Sequence, residues 1–241
     1  CPDIEKIRDI CRKSGIYLIE DCAHAIGAAY KGAMAGSFGL AGCFSFYPTK
    51  VMTTGTGGLL VTDDPGLASY AKSLRLHGAG GGLSEIVNIG NDWFMDEIRS
   101  AIGLNQIMHL KDFLKKRAVI AGVYDSLIAK TDLIWKFEVS ESCVHAYYKY
   151  PVQVTADIDV QALKDRVKAK CGFELESIYW PPCHKQPVYK KIFKFNKRSF
   201  PAAESVLSQQ ITLPMHAVMK KEDARYAFDC VVCGIKRGRR A

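Results

Sequence analysis

The sequence predicts an α/β fold built on an open sheet. Three observations carry this. The short apolar runs IYLIE at 16–20, CFSF at 43–46 and GLLVT at 58–62 have the length of strands. Helical patterns precede and follow them, and strands alternating with helices are the mark of an open α/β sheet. Past residues 131–142 the texture changes to a β-rich stretch with two amphipathic helices. That change predicts a large domain over residues 1–135 and a smaller α+β domain over 136–241.

In chain order, residues 4–14 place Ile4, Ile7 and Cys11 on one helical face, and Gly15 stops the helix. IYLIE is a continuous apolar run closed by an acid, as in a buried parallel strand. CFSF and GLLVT are two further short strands. Asp64-Pro65 opens a helix with Leu67, Ala71 and Leu74 on its inner face. From Met95, Ile98, Ile102 and Leu110 recur at helical spacing, which predicts one long helix running towards Lys130. CVHAYYKYPVQV at 143–154 reads as β structure. DVQALKDRVKAK at 159–170 reads as a helix with Val160, Leu163 and Val167 inward. Another extended piece and a helix near 221–233 complete the pattern. No internal repeat is visible.

Composition narrows the function. The 241 residues are 48% hydrophobic, enough for a core. The apolar runs are too short to span a bilayer, so no membrane role is expected. The nine cysteines, an odd number scattered in apolar contexts, read as reduced thiols of a cytoplasmic protein. Cys230-Val-Val-Cys233 has no second pair and reads as a packed helix face, so no metal is expected. The net charge of +8 is concentrated in HKQPVYKKIFKFNKRSF at 184–200 and KRGRR at 236–240. Lysines interleaved with Tyr189, Phe193 and Phe195 are weighed against nucleic acid and assigned to a solvated face. Attraction of phosphorylated small molecules is the milder consequence.

In open α/β sheets, ligands sit beyond the carboxyl ends of the strands. IYLIE delivers Glu20, Asp21 and then His24. CFSF delivers Ser45 and, a loop later, Lys50. GLLVT delivers Asp63. A lysine and a carboxylate at one sheet edge suit pyridoxal phosphate: the amine bonds the cofactor and the acid holds the ring nitrogen protonated. Ser45 suits a phosphate oxygen. The glycines of TTGTGG at 53–58 let backbone come close. The plain alternatives are Asp21 as a turn cap and Lys50 as a surface lysine.

IEDCAHAIGAAYKG at 19–32, GSFGLAGCFSFYPTK at 36–50 and TTGTGGLLVTDD at 53–64 resemble the DegT/DnrJ/EryC1/StrS family of pyridoxal-phosphate aminotransferases acting on nucleotide-linked keto sugars. The resemblance continues in order through RLHG at 75–78, MDEIRSAIGLNQ at 95–106, PPCHKQPVY at 181–189 and FPAAESVLSQQITLPMH at 200–216. It implies a fold-type I aminotransferase, with Lys50 as the Schiff-base lysine and proton carrier. Asp21 becomes the partner of the pyridine nitrogen, His24 a neighbour of the ring and Ser45 a phosphate contact. His184 and His77 become candidates for the sugar site. The substrates implied are a nucleotide-linked keto sugar and an amino-acid donor, usually glutamate. A homodimer with shared active sites is implied, in which the 89–106 loop crosses the interface and Asp92 stands where an Asn reaches the neighbour's cofactor phosphate.

The sequence departs from the family pattern at Asp92, at Thr56 where Glu is common, and in its start. Relatives carry an upstream region with the first part of the sheet, a phosphate cradle and a stacking aromatic. The resemblance therefore implies that residues 1–241 are the C-terminal part of a longer enzyme and do not transaminate alone. A catalytically silent family member with a binding or assembly role is the alternative. A sugar dehydratase reading is weakened by Lys50, which a histidine replaces in that branch.

Overall fold

A computed structural model describes residues 3–81, 84–193 and 200–239. Phe195 and the end of the KRGRR run, both invoked in the charge argument, lie outside the described residues. The chain divides into two compact units: Cys1–Lys115 with Val139–Tyr148, and Lys116–Glu138 with Lys149–Ala241.

In the first unit, α1 (Ile4–Lys13) is capped by Asp3, whose carboxylate accepts the Lys6 N–H at 3.3 Å. β1 (Ile19–Asp21) follows, then a small hairpin of β2 (Ala29–Tyr30) and β3 (Ala33–Met34), then β4 (Ala41–Ser45). β1 and β4 pair in parallel, with Asp21 opposite Cys43. β5 (Gly58–Val61) lies antiparallel on the other side of β4, giving the order β1-β4-β5.

The expected burial of the first strand is not met. Ile16, Tyr17 and Ile19 are 60%, 80% and 61% exposed. The reason is position: β1 is an edge strand, and among the described residues nothing pairs with its outer side.

α2 (Pro65–Arg75) begins as expected, with Asp64 accepting the Leu67 N–H at 2.8 Å and Leu67, Ala71 and Leu74 half-buried. The single long helix is instead two, α3 (Glu97–Met108) and α4 (Leu110–Ile128). The break falls at His109, whose N–H turns back to the Gln106 carbonyl at 3.1 Å. Ile98 and Ile102 of α3 are exposed rather than inward. Leu110, Phe113 and Leu114 of α4 do pack, against Ala28, Val51 and Ala146.

The second unit holds the antiparallel sheet β6-β8-β9, made of β6 (Ile134–Lys136), β8 (Tyr150–Val154) and β9 (Gln210–Leu213). Between β6 and β8 the chain re-enters the first unit and forms β7 (Cys143–Val144), which pairs with β2 in a second small sheet of that unit, ordered β3-β2-β7. The β-rich stretch at 143–154 is thus divided: its start completes one sheet and its end is the centre of another. α5 (Val160–Cys171), α6 (Pro187–Phe193), α7 (Pro201–Ser208) and α8 (Lys221–Gly238) complete the unit. Leu163, Val167, Val231 and Ile235 of α5 and α8 are buried, as are Val152, Ile211 and Leu213 of the sheet. Cys230 is half-buried and Cys233 exposed on α8. No helix among the described residues is long and apolar enough to cross a membrane.

Candidate active site

Parallel pairing of β1 and β4 sends their C-terminal ends to one edge. Asp21 ends β1 and Ser45 ends β4. Past β1, the Cys22 N–H donates to the Cys43 carbonyl at 2.8 Å, which extends the pairing by one step. Asp21 then accepts the Ala23 N–H at 3.0 Å, closing the turn that carries His24. The turn-cap role weighed from sequence is therefore present, with the carboxylate exposed at the sheet edge. Past β4, the Ser45 hydroxyl accepts the Tyr47 N–H at 3.4 Å, and the Lys50 N–H donates to the Tyr47 carbonyl at 3.0 Å.

Two predicted residues from different strand ends converge on one ring. The His24 ring lies 4.3 Å from that of Tyr148, and the Lys50 ammonium sits 4.7 Å from the same ring centre. The Tyr148 hydroxyl and the Thr49 hydroxyl are 3.0 Å apart. Tyr148 was not singled out from sequence. Its only signal is the aromatic run YYKY, and its approach depends on β7 returning to β2.

Asp63 does not belong to this edge. β5 runs antiparallel to β4, with Gly58 opposite Ser45 and Val61 opposite Gly42, so Asp63 lies at the far end. The connection from 46 to 57 closes on itself through Thr54 N–H to Phe46 O (3.0 Å) and Phe46 N–H to Gly57 O (2.9 Å). A link closed in this way turns the chain back on itself, and β5 returns antiparallel to β4. The consequence is useful: it brings TTGTGG, not Asp63, to the edge that holds Ser45. Thr54 in that loop is buried, with its hydroxyl donating to the Thr56 carbonyl at 2.9 Å.

Glu20, read from sequence only as the acid closing a strand, holds the site's frame. Its carboxylate accepts the N–H groups of Gly36 (2.8 Å), Phe38 (2.6 Å) and Gly39 (2.9 Å). This fixes the GSFG loop against β1. Gly36, at φ 92, has no room for a side chain, since a Cβ there would stand 2.9 Å from the Phe44 ring. Cys22, beside Asp21, is buried. Burial, with Glu20 and Asp21 adding to it, pushes its thiol up to about 11, so it stays protonated near neutral pH.

His77 and Asp92 belong to the same unit, on a looped segment. Leu76 and Asp92 form an isolated antiparallel bridge, the exposed His77 adopts φ 55, and its N–H donates to the Asn91 carbonyl at 3.1 Å. His184 lies in the other unit. It is 2.9 Å from Glu204, which also pairs with Lys185 and accepts the Phe200 N–H at 3.2 Å. Lys185, then His184 and the Phe200 amide, hold the Glu204 carboxyl down at about 2.

Residues 1–232 match the family model described as the DegT/DnrJ/EryC1/StrS aminotransferase family. The chain is 32% identical, over 95% of its length, to the spore coat polysaccharide biosynthesis protein SpsC of Bacillus subtilis. It covers 62% of that protein. It is 30% identical, again over 95% of its length, to GDP-perosamine synthase of Escherichia coli O157:H7, of which it covers 61%. Among solved structures, a DegT DnrJ EryC1 StrS aminotransferase from Brucella abortus superposes with a TM-score of 0.86 at 28% identity. The match takes in 98% of this chain and 61% of that one. The chain thus spans about three fifths of the length of the relatives it matches.

Proposed function

Because the chain belongs to the DegT/DnrJ/EryC1/StrS aminotransferase family, we propose that the protein moves an amino group from an amino acid, with glutamate as donor, to the keto carbon of a nucleotide-linked sugar. Pyridoxal phosphate is the cofactor. The observation that carries this is one sheet edge that supplies a carboxylate, a hydroxyl and, through Tyr148, a lysine and a histidine held together.

That donor set fits the cofactor. Bound there, pyridoxal phosphate supplies an aldehyde carbon for amines and a ring that accepts the electron pair left when a proton leaves carbon. Lys50 Nζ would hold the cofactor and, once displaced by the donor's amine, would take the proton from the donor's α-carbon in one half-reaction and give one to the sugar carbon that receives the amine in the other. Asp21, by its negative charge, keeps the ring nitrogen protonated. The Ser45 hydroxyl donates to a phosphate oxygen. His24 would lie beside the cofactor ring, and the Gly55–Gly58 backbone would allow close approach. His184, oriented by Glu204, and His77 are the residues proposed for the sugar. A second copy completes each site, with the segment around Asp92 facing the neighbour's cofactor.

The test is direct. Pyridoxal phosphate is added to the complete protein, its visible absorbance is followed, and the adduct is reduced with borohydride and mapped. The adduct maps to Lys50, and Lys50→Ala abolishes both adduct and turnover while leaving the fold intact. An adduct on another lysine overturns the assignment.

A further inference from the structure

We propose that Tyr148 is a positioning residue of this site: its ring face seats the Lys50 ammonium and fixes the His24 ring beside it. The proposal rests on the roles given to Lys50 and His24 above.

Three contacts converge on Tyr148. The Lys50 ammonium lies 4.7 Å from its ring centre, within the roughly 6 Å over which a cation is attracted to an aromatic face. The His24 ring packs on it at 4.3 Å, tilted by 35°. Its hydroxyl is 3.0 Å from that of Thr49, the residue next to Lys50 in the chain. That bond ties the ring to the backbone carrying the lysine, so ring and amine keep a common frame.

The ring is itself held from behind. β7 pairs with β2, and the Lys31 N–H donates to the Ser142 carbonyl at 2.7 Å. His145 Nδ1 accepts the Tyr147 N–H at 2.8 Å, closing a tight turn in which Tyr147 adopts φ 47. A left-handed residue at that point sets the direction of the next side chain. Burial holds the His145 imidazole below its ordinary value, towards the neutral form whose Nδ1 can accept that bond.

The physical consequence concerns the amine when it is free. A lysine side chain is a flexible four-carbon stem. Without a seat its amine samples many positions, most of them away from the sheet edge. A cation–π seat is weak enough to be left when the amine bonds the cofactor, and directional enough to return the amine to one place afterwards. His24, on the same ring, is kept in register with that place.

The experiment separates the seat from the overall function. Lysines of the complete protein, free of cofactor, are reductively methylated with ¹³C, and the Lys50 signal is assigned by its loss in Lys50→Arg. In the parent and in Tyr148→Phe this signal is displaced upfield by the ring. In Tyr148→Leu it moves to the position of exposed lysines. Cofactor capture, followed by visible absorbance, slows about threefold to tenfold in Tyr148→Leu and stays within about twofold in Tyr148→Phe. Tyr148→Met replaces the leucine variant should that one fail to fold. An undisplaced parental signal, or capture by Tyr148→Leu at the parental rate, overturns the proposal. Failure of the parent to bond the cofactor at Lys50 overturns the functional reading instead, and the methyl signal still reports on the seat.

Discussion

Glu20 and Asp21 are adjacent carboxylates with separate tasks. Asp21 ends on the exposed edge, and Glu20 turns to three backbone N–H groups of the GSFG loop. Both oxygens of Glu20 act as acceptors, which only a carboxylate provides. Glu20→Gln puts an amide N–H₂ against at least one of those donors. We expect it to lower the unfolding free energy of the complete protein by about 2 kcal/mol or more, since a part-buried donor is left unsatisfied. Urea denaturation measures this. A loss below about 0.5 kcal/mol, within the scatter of an ordinary surface change, would mean that the three bonds are replaced by water at little cost.

Among elements, the segment from β7 to Tyr148 reaches both His24 and Lys50. It follows β6, adds one strand to the β2–β3 hairpin and presents Tyr148 to Lys50. His145 fastens its turn in the neutral form. The folded-state value is depressed below the ordinary 6.5 by burial. Its stabilisation is therefore fully present above 6.5 and is lost as pH falls through the lower folded-state value. Thermal melts from about pH 7.5 down to about pH 5.5 should fall more steeply for the parent than for His145→Asn, which keeps an acceptor near the Tyr147 N–H without a titrating ring. Parallel pH profiles for the two proteins would refute a role for His145 in that window.

At the scale of the whole molecule, the apolar surface left open in the first unit is what calls for comment. Trp93, Phe94, Ile98 and Leu104 are 66%, 52%, 77% and 68% exposed, the first two just before α3 and the others on it. Exposed apolar groups in such number are commonly covered by a partner. A second copy covering this segment is the arrangement the proposed function requires. Sedimentation of the complete protein at micromolar concentration should show one dimeric species, and Ile98→Glu with Trp93→Ser should shift it to monomer. A parent that sediments as a monomer and still turns over substrate would rule out the shared site.

The sequence by itself determined the class of fold, the family and the two strand ends that carry Asp21 and Ser45. These follow from local information: strand-length apolar runs, helix caps such as Asp64, and motifs in which Asp21, Ser45 and Lys50 keep their spacing. Tertiary structure alone decided which residues share a place. The antiparallel direction of β5 removed Asp63 from the edge, because the connection from β4 closes back on Phe46. Burial of β1 depended on a neighbour that its own apolar run cannot supply. Tyr148 reached Lys50 through a strand pairing between β2 and β7, a contact between segments far apart in the chain. Periodicity reports on the face a residue presents, and contacts of that range depend on which other face is folded against it.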